Sequence, residues 1–176
     1  MTCLFELSIA LLITLLNGFF VMAEYSLVRI RKSRLDELIR QGKSRANTVL
    51  KMSEKLDTYL SATQLGITAS SLLLGWFGGP LLAEMFRGMF GVSAGTWYDH
   101  SLVFACAFLI IVFLHVVFGE LVPRTIALGK VEQVAMAVAY PLVFFHYLLY
   151  PLVVLFNRIS HAVLCLLGVD PVPDED

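Results

Sequence analysis

The residues able to bind something sit in unusual surroundings. Glu120 falls in Gly119-Glu120-Leu121-Val122-Pro123, at the end of a long apolar run. Pro123 has no N–H, so the carbonyl of Gly119, four residues earlier, loses its helical partner. A freed carbonyl beside a carboxylate is an oxygen-rich cation site in outline. The competing reading is a helix end kinked at Pro123, with Glu120 paired to Arg124 at the water interface, and the residues alone leave both open. Earlier in the chain, Asn17 and Glu24 are seven apart and share a helix face, with Tyr25 and Ser26 directly after Glu24. At about 100° per residue Ser26 points nearly opposite to Glu24, and Asn17 is expected to make structural hydrogen bonds. Gln64, Thr68, Ser71 and Gly75 follow i, i+4, i+7, i+11 and form one polar stripe. Stripes of small and hydroxyl residues commonly glue helices together, so packing competes with a ligand role there.

The donors in these groups are carboxylate, hydroxyl, amide and carbonyl oxygens. Such ligands suit hard cations such as Mg²⁺, Ca²⁺ or Na⁺ and not zinc or copper. Cys3, Cys106 and Cys165 have no paired spacing, so neither a disulfide framework nor a zinc motif is expected. His115 reads as a packed residue, and His146 and His161 as interfacial. No Ser–His–Asp constellation, phosphate loop or HExxH is present, so the sequence gives no support for an enzyme.

These residues must be positioned by apolar elements. The chain is 58% hydrophobic and 15% charged, against about 45–50% and about 25% in soluble domains. The excess is gathered in blocks, and a spanning helix needs about 20 mostly apolar residues. Residues 4–28, 58–77 and 101–122 each meet that length. The first block is not expected to be a cleaved signal peptide, because residues 1–6 carry Glu6 and no basic residue. A fourth stretch, 131–167, is interrupted by Pro141, Pro151 and Arg158; two helical pieces along the inner interface, with Tyr140, Tyr147 and Tyr150 at headgroup level, are preferred to the alternative of a fourth full span.

Charge sets the orientation. Arg29, Arg31, Lys32, Arg34, Arg40, Lys43, Arg45, Lys51 and Lys55 all lie between the first two blocks. A basic loop there is a topology signal and not a nucleic-acid footprint: it belongs in the cytoplasm, with the N-terminus outside. Within it, Ser33 is expected to cap a helix over 34–41, Gly42 to break it, and 44–55 to form a second helix. The second span is expected to end at Gly75-Trp76-Phe77-Gly78-Gly79-Pro80, followed by a short amphipathic segment over 81–90 and an outer loop over 91–100. The fold class that follows is an all-α integral membrane protein. It has three transmembrane helices, a short cytoplasmic helical hairpin between the first two, and a C-terminal juxtamembrane belt segment.

Three runs resemble a known family. They are Asn17-Gly18-Phe19-Phe20 with Ala23-Glu24-Tyr25-Ser26-Leu27-Val28; Ala62-Thr63-Gln64-Leu65-Gly66-Ile67-Thr68 with Ser71-Leu72; and Phe118-Gly119-Glu120-Leu121-Val122-Pro123 with Ala127-Leu128. In this order and spacing they resemble the transmembrane domain of the CorC/cyclin M (CNNM) family of magnesium transporters. The resemblance implies a homodimer in the plasma membrane, a belt helix around three spans, and an acidic cavity open to the cytoplasm. It also implies Mg²⁺ export, with Na⁺ as the coupling ion. Residues 1–170 would be the membrane domain, and 171–176 the start of a linker to a cytosolic CBS pair. Glu120 would supply the charge, Ser26 and Ser71 hydroxyl oxygens, and Gly119 its carbonyl; Ser26 is preferred to Glu24 by the resemblance. Two departures stand out. Gly78-Gly79-Pro80 replaces the family's frequent Gly-Glu-Pro, and Arg124 its frequent lysine, a planar donor in place of a point charge. The rival function is a dimeric membrane anchor or sensor that regulates magnesium homeostasis without carrying ions.

Overall fold

The computed structural model describes the backbone of residues 2–90 and 97–168, and the side chains of residues 7–78, 105–106 and 108–168. Every regular element in it is helical. Helix α1 (Thr2–Arg29) is followed by a hairpin of α2 (Lys32–Arg40) and α3 (Ser44–Glu54), and then by the long α4 (Leu56–Phe90). Helix α5 (Trp97–Leu114) runs through a π-helical turn (His115–Leu121) into α6 (Val122–Gly129), and α7 (Val131–Leu166) ends the described chain.

The hairpin forms where expected, with a different start. Gly42 takes φ +80°, a left-handed value that glycine adopts without steric cost, and so separates the two helices. Ser33 is not a cap: α2 begins at Lys32, its N-cap position is Arg31, and no side chain caps it. One face of the hairpin is fully apolar and buried, through Leu35, Leu38, Ala46, Val49 and Met52, in the same core as Phe20 and Leu27 of α1 and Val134–Leu142 of α7. That packing fixes the hairpin, so helix propensity and capping matter little to it. Arg34 pairs with Glu37 and, at 2.6 Å, with Glu132 of α7.

Helix α1 packs most extensively on α4. The seam on α4 is a row of small residues one step away from the stripe picked out above: Ala62, Gly66, Ser70 and, further on, Leu74 are buried, while Gln64, Thr68 and Gly75 are exposed and Ser71 is half-buried. A Cβ on Gly66 would lie 2.6 Å from three ring carbons of Phe20, so the ring of Phe20 seats on α4 only because position 66 has no side chain. The same spacing of small residues lets helix backbones approach closely elsewhere in membranes.

The expected end of the second span is corrected. Helix α4 runs unbroken through Gly75–Pro80 to Phe90, so 81–90 is not a separate segment; 91–96 lie outside the described residues. In hydrocarbon every backbone group must be satisfied internally. Continuing the helix past Pro80 forfeits only one hydrogen bond, whereas ending it at membrane depth would expose several.

Three stretches among the described residues are long and apolar enough to cross a membrane: Leu7–Arg29, Phe108–Gly129 and Val131–Leu166. Helix α4 is not among them, because its polar stripe and small-residue seam dilute its described part. The fourth stretch also departs from expectation. It is one continuous helix with Pro141 and Pro151 inside it, not two pieces. Its partners change steadily along its length. Glu132 and Tyr140 meet Arg34 and Arg45 of the hairpin, and Phe145 packs on Phe19 and Phe20 of α1. His146 then stacks on Tyr59, and Phe156 lies over Asp57–Thr68 of α4. The helix thus wraps the hairpin end of the bundle, as a belt does.

Candidate functional site

The π-turn joins the elements. Its residues, His115–Leu121, carry i→i+5 hydrogen bonds, including one from the Val122 N–H to the Val117 carbonyl. Leu121 and Val122 keep helical dihedrals, so the helix does not end at Pro123, as a simple kink would have it. The proline enters at the start of α6, and the wider turn before it absorbs the irregularity. Pro123 itself is buried against α1: a Cβ on Gly18 would lie 2.9 Å from its Cγ.

The Gly119 carbonyl finds a partner from another helix. Asn17 Nδ2 donates to it at 2.8 Å. Asn17 is almost wholly buried and lies near the middle of the apolar Leu7–Arg29 stretch, so this bond holds α1 to the π-turn midway along that stretch. Asn17 Oδ1 is buried without a protein partner. Beside it, Ser71 Oγ donates to the Ile67 carbonyl at 2.8 Å and lies 3.1 Å from His115 Nε2. The ring of His115 packs over Gly119, where a Cβ would stand 3.0 Å from His115 Nδ1 and 3.2 Å from Asn17 Nδ2. Asn17, Ser71, His115 and Gly119, from three helical stretches, therefore meet at one point.

The carboxylates stand differently to that point: Glu120 follows Gly119 directly, and Glu24 lies seven residues, about 10 Å, along α1 from Asn17. Glu120 is exposed. Glu24 is half-buried, with Oε2 enclosed and unpartnered. Among the described residues no ion pair reaches either carboxylate; Arg124, the partner of Glu120 in the competing reading, lies 4.7 Å over the Tyr25 ring.

Ser26 stands apart. It is fully buried and its hydroxyl bonds back to the Ala23 carbonyl at 3.2 Å. It lies nine residues beyond Asn17, about 13 Å along the helix. Gln64 and Thr68 line an open cleft of about 530 Å³ together with Asp57, Ser61 and Phe156; the Thr68 hydroxyl bonds to the Gln64 carbonyl at 2.9 Å. The structure thus links Ser71 to Gly119 through the ring of His115, with Glu120 next in the chain, and leaves Ser26 on a separate turn. Sequence reasoning passed over His115 as a packing residue. The available signal was its position, four residues before Gly119, which puts it on the same side of the helix.

Among the described residues no three His, Cys, Asp or Glu side chains cluster tightly enough to form a metal centre. Neutral oxygens would have to complete the shell of any cation held here. The hydroxyl, carbonyl and two carboxylates can do so for a hard cation, and the set offers little to a soft one.

Residues 7–176 match the model of the cyclin M transmembrane N-terminal domain. Over 162 residues the chain is 39% identical to UPF0053 protein YhdT of Bacillus subtilis, covering 92% of this chain and 35% of that protein. It is 38% identical over 168 residues to the protein MT1889 of Mycobacterium tuberculosis, covering 96% and 48%. To UPF0053 protein sll0260 of Synechocystis it is 33% identical over 177 residues, covering 97% and 40%. The chain spans less than half the length of these curated relatives. With its apolar helices, this multi-pass membrane protein belongs to the cyclin M transmembrane N-terminal domain family.

Proposed function

We propose that the domain is the membrane portion of a divalent-cation transporter, a homodimer that exports Mg²⁺ with Na⁺ as the coupling ion. The observation that carries the reading is the pair Glu24 and Glu120: two carboxylates inside the apolar stretches Leu7–Arg29 and Phe108–Gly129, joined to no basic side chain among the described residues. Ionisable groups in a membrane are costly and face a cavity or a partner, and a divalent cation is the partner that two carboxylates call for.

The working set is Glu120, the Ser71 hydroxyl and the Gly119 carbonyl, with Glu24 as the second charge. The carbonyl has two lone pairs; Asn17 takes one and leaves the other for the ion. Ser26 joins the ion's path only through movement of α1. Mg²⁺ gives up its water reluctantly, so a site of few charges and mostly neutral oxygens binds loosely enough to release it. The exposed polar face of α4 at Gln64, Thr68 and Gly75 is costly against lipid, and a second copy or a wet cavity covers it.

The full-length protein reconstituted in liposomes will move Mg²⁺ down an imposed gradient, read by an entrapped indicator. Flux equal to that of protein-free vesicles would leave only the anchor or sensor role. The orientation is checked separately. In a cysteine-free background, S44C will react with a membrane-impermeant thiol reagent only after the cytoplasmic face is opened. Labelling of intact cells would reverse the proposed topology.

A further inference from the structure

We propose that His115 is a positioning residue: its Nε2–H holds the Ser71 hydroxyl with a lone pair turned toward the cation. This rests on the transport reading above and extends it to a side chain outside the ligand set.

The hydrogen-bond bookkeeping carries the inference. A serine hydroxyl has one hydrogen and two lone pairs. The Ser71 hydrogen is spent on the Ile67 carbonyl of its own helix at 2.8 Å. The 3.1 Å contact to His115 Nε2 therefore needs its hydrogen on the ring nitrogen, so Nε2 donates and Ser71 Oγ accepts. One lone pair of Oγ remains free. Without His115 the hydroxyl can turn about its own Cα–Cβ bond, and nothing else among its described contacts fixes it beyond its own helix.

The surroundings fix the ring in turn. His115 opens the π-turn and Gly119 lies four residues on, nearly in line with it. The missing side chain at Gly119 is what admits the ring: a Cβ there would crowd both His115 Nδ1 and Asn17 Nδ2. His115 thus links a proposed ligand on α4 to the proposed ligand carbonyl at position 119, while Asn17 fixes that carbonyl from α1. His115 Nδ1 is buried with no protein partner, so only one ring nitrogen carries the function.

That asymmetry gives the test. A glutamine side chain reaches the position of Nε2, whereas asparagine reaches only that of Nδ1. Full-length H115Q, H115N and H115F would be compared in liposomes for the Mg²⁺ concentration at half-maximal flux and for the maximal rate. Mg²⁺-induced thermal stabilisation in detergent gives a readout of binding alone. H115N and H115F should raise the half-saturating Mg²⁺ by about tenfold, the size of one lost hydrogen bond, with the maximal rate little changed. H115Q should restore it to within about twofold. S71A placed in H115F should add much less than it does in the wild-type background, because the two residues act as one unit.

Equal behaviour of H115Q and H115N overturns the proposal, as does an H115F protein with wild-type half-saturation; either makes His115 a packing residue. If H115F does not fold, the comparison of the two amides still decides. Normal flux in wild type with no split in the series refutes this inference alone. No Mg²⁺ response of the wild-type protein in either readout refutes the transport reading and this inference with it.

Discussion

Glu120→Gln will reduce Mg²⁺ flux to the level of protein-free liposomes while leaving expression and thermal stability near those of the native protein. Glutamine keeps the shape and one of the two oxygens but removes the charge. Glu120 is exposed and makes no ion pair among the described residues, so no buried cation is orphaned by the change. Surface substitutions of this kind usually alter stability by less than about 0.5 kcal/mol. The effect on the ion is of another order. Replacing water around Mg²⁺ with a few neutral oxygens and a single carboxylate at position 24 leaves too little charge to offset dehydration. The reading is sunk if E120Q transports at the native rate in vesicles whose protein content has been matched.

Asn17→Leu will act the other way, on stability first. Leucine is close in volume to asparagine and suits the apolar surroundings of α1, but it cannot donate to Gly119. The carbonyl then has neither its helical partner, which Pro123 removes, nor the bond from Nδ2 at 2.8 Å. An unpaired buried acceptor costs about 1–3 kcal/mol, offset in part because Asn17 Oδ1 already lacks a protein partner. We expect a lowered unfolding temperature in detergent and a weakened Mg²⁺ response, since the carbonyl loses its fixed direction. Asn17→Asp keeps the volume and should be no better, because an ionised carboxylate has no hydrogen to donate. A native unfolding temperature for N17L would show that the π-turn holds its carbonyl without α1.

The two substitutions also mark how far the sequence could be read. The apolar block of α1, the basic hairpin and the break at Gly42 follow from composition and period, and the structure has them. Pro123 removes the ordinary i+4 partner of the Gly119 carbonyl, and in the structure Asn17 donates to that carbonyl. What the sequence did not contain is the identity of the group that answers it. Asn17 is more than a hundred positions away, and only the packing of α1 against the π-turn brings it there. The seam between α1 and α4 was missed for a related reason. The hydroxyl stripe over Gln64–Gly75 is the more conspicuous pattern, yet close approach is set by size and not by polarity, so Ala62, Gly66 and Ser70 took the contact. Helix-breaking signals were over-read at Gly75–Pro80 and at Pro141 and Pro151. In water such residues end helices because solvent satisfies the freed backbone; in a bilayer and against a packed neighbour no such alternative exists. Ser33 failed as a cap because buried leucines, not end effects, decide where α2 lies.

The π-turn changes what kinds of genetic change this segment can absorb. A π-turn amounts to one extra residue threaded into an α-helix, and each residue of an α-helix advances the side chains by about 100°. Deleting any one residue of 115–121 would let the segment relax to regular α-helix and swing everything before it round relative to everything after it. The Asn17–Gly119 and Ser71–His115 contacts lie within or at the edge of that turn and would go out of register together. Exchanging the exposed Val116 or Phe118 for another apolar residue leaves the count intact and should be tolerated. The segment is therefore constrained in its length more than in its letters. A relative that aligns here only with a one-residue gap would have lost the junction, even with every named residue retained.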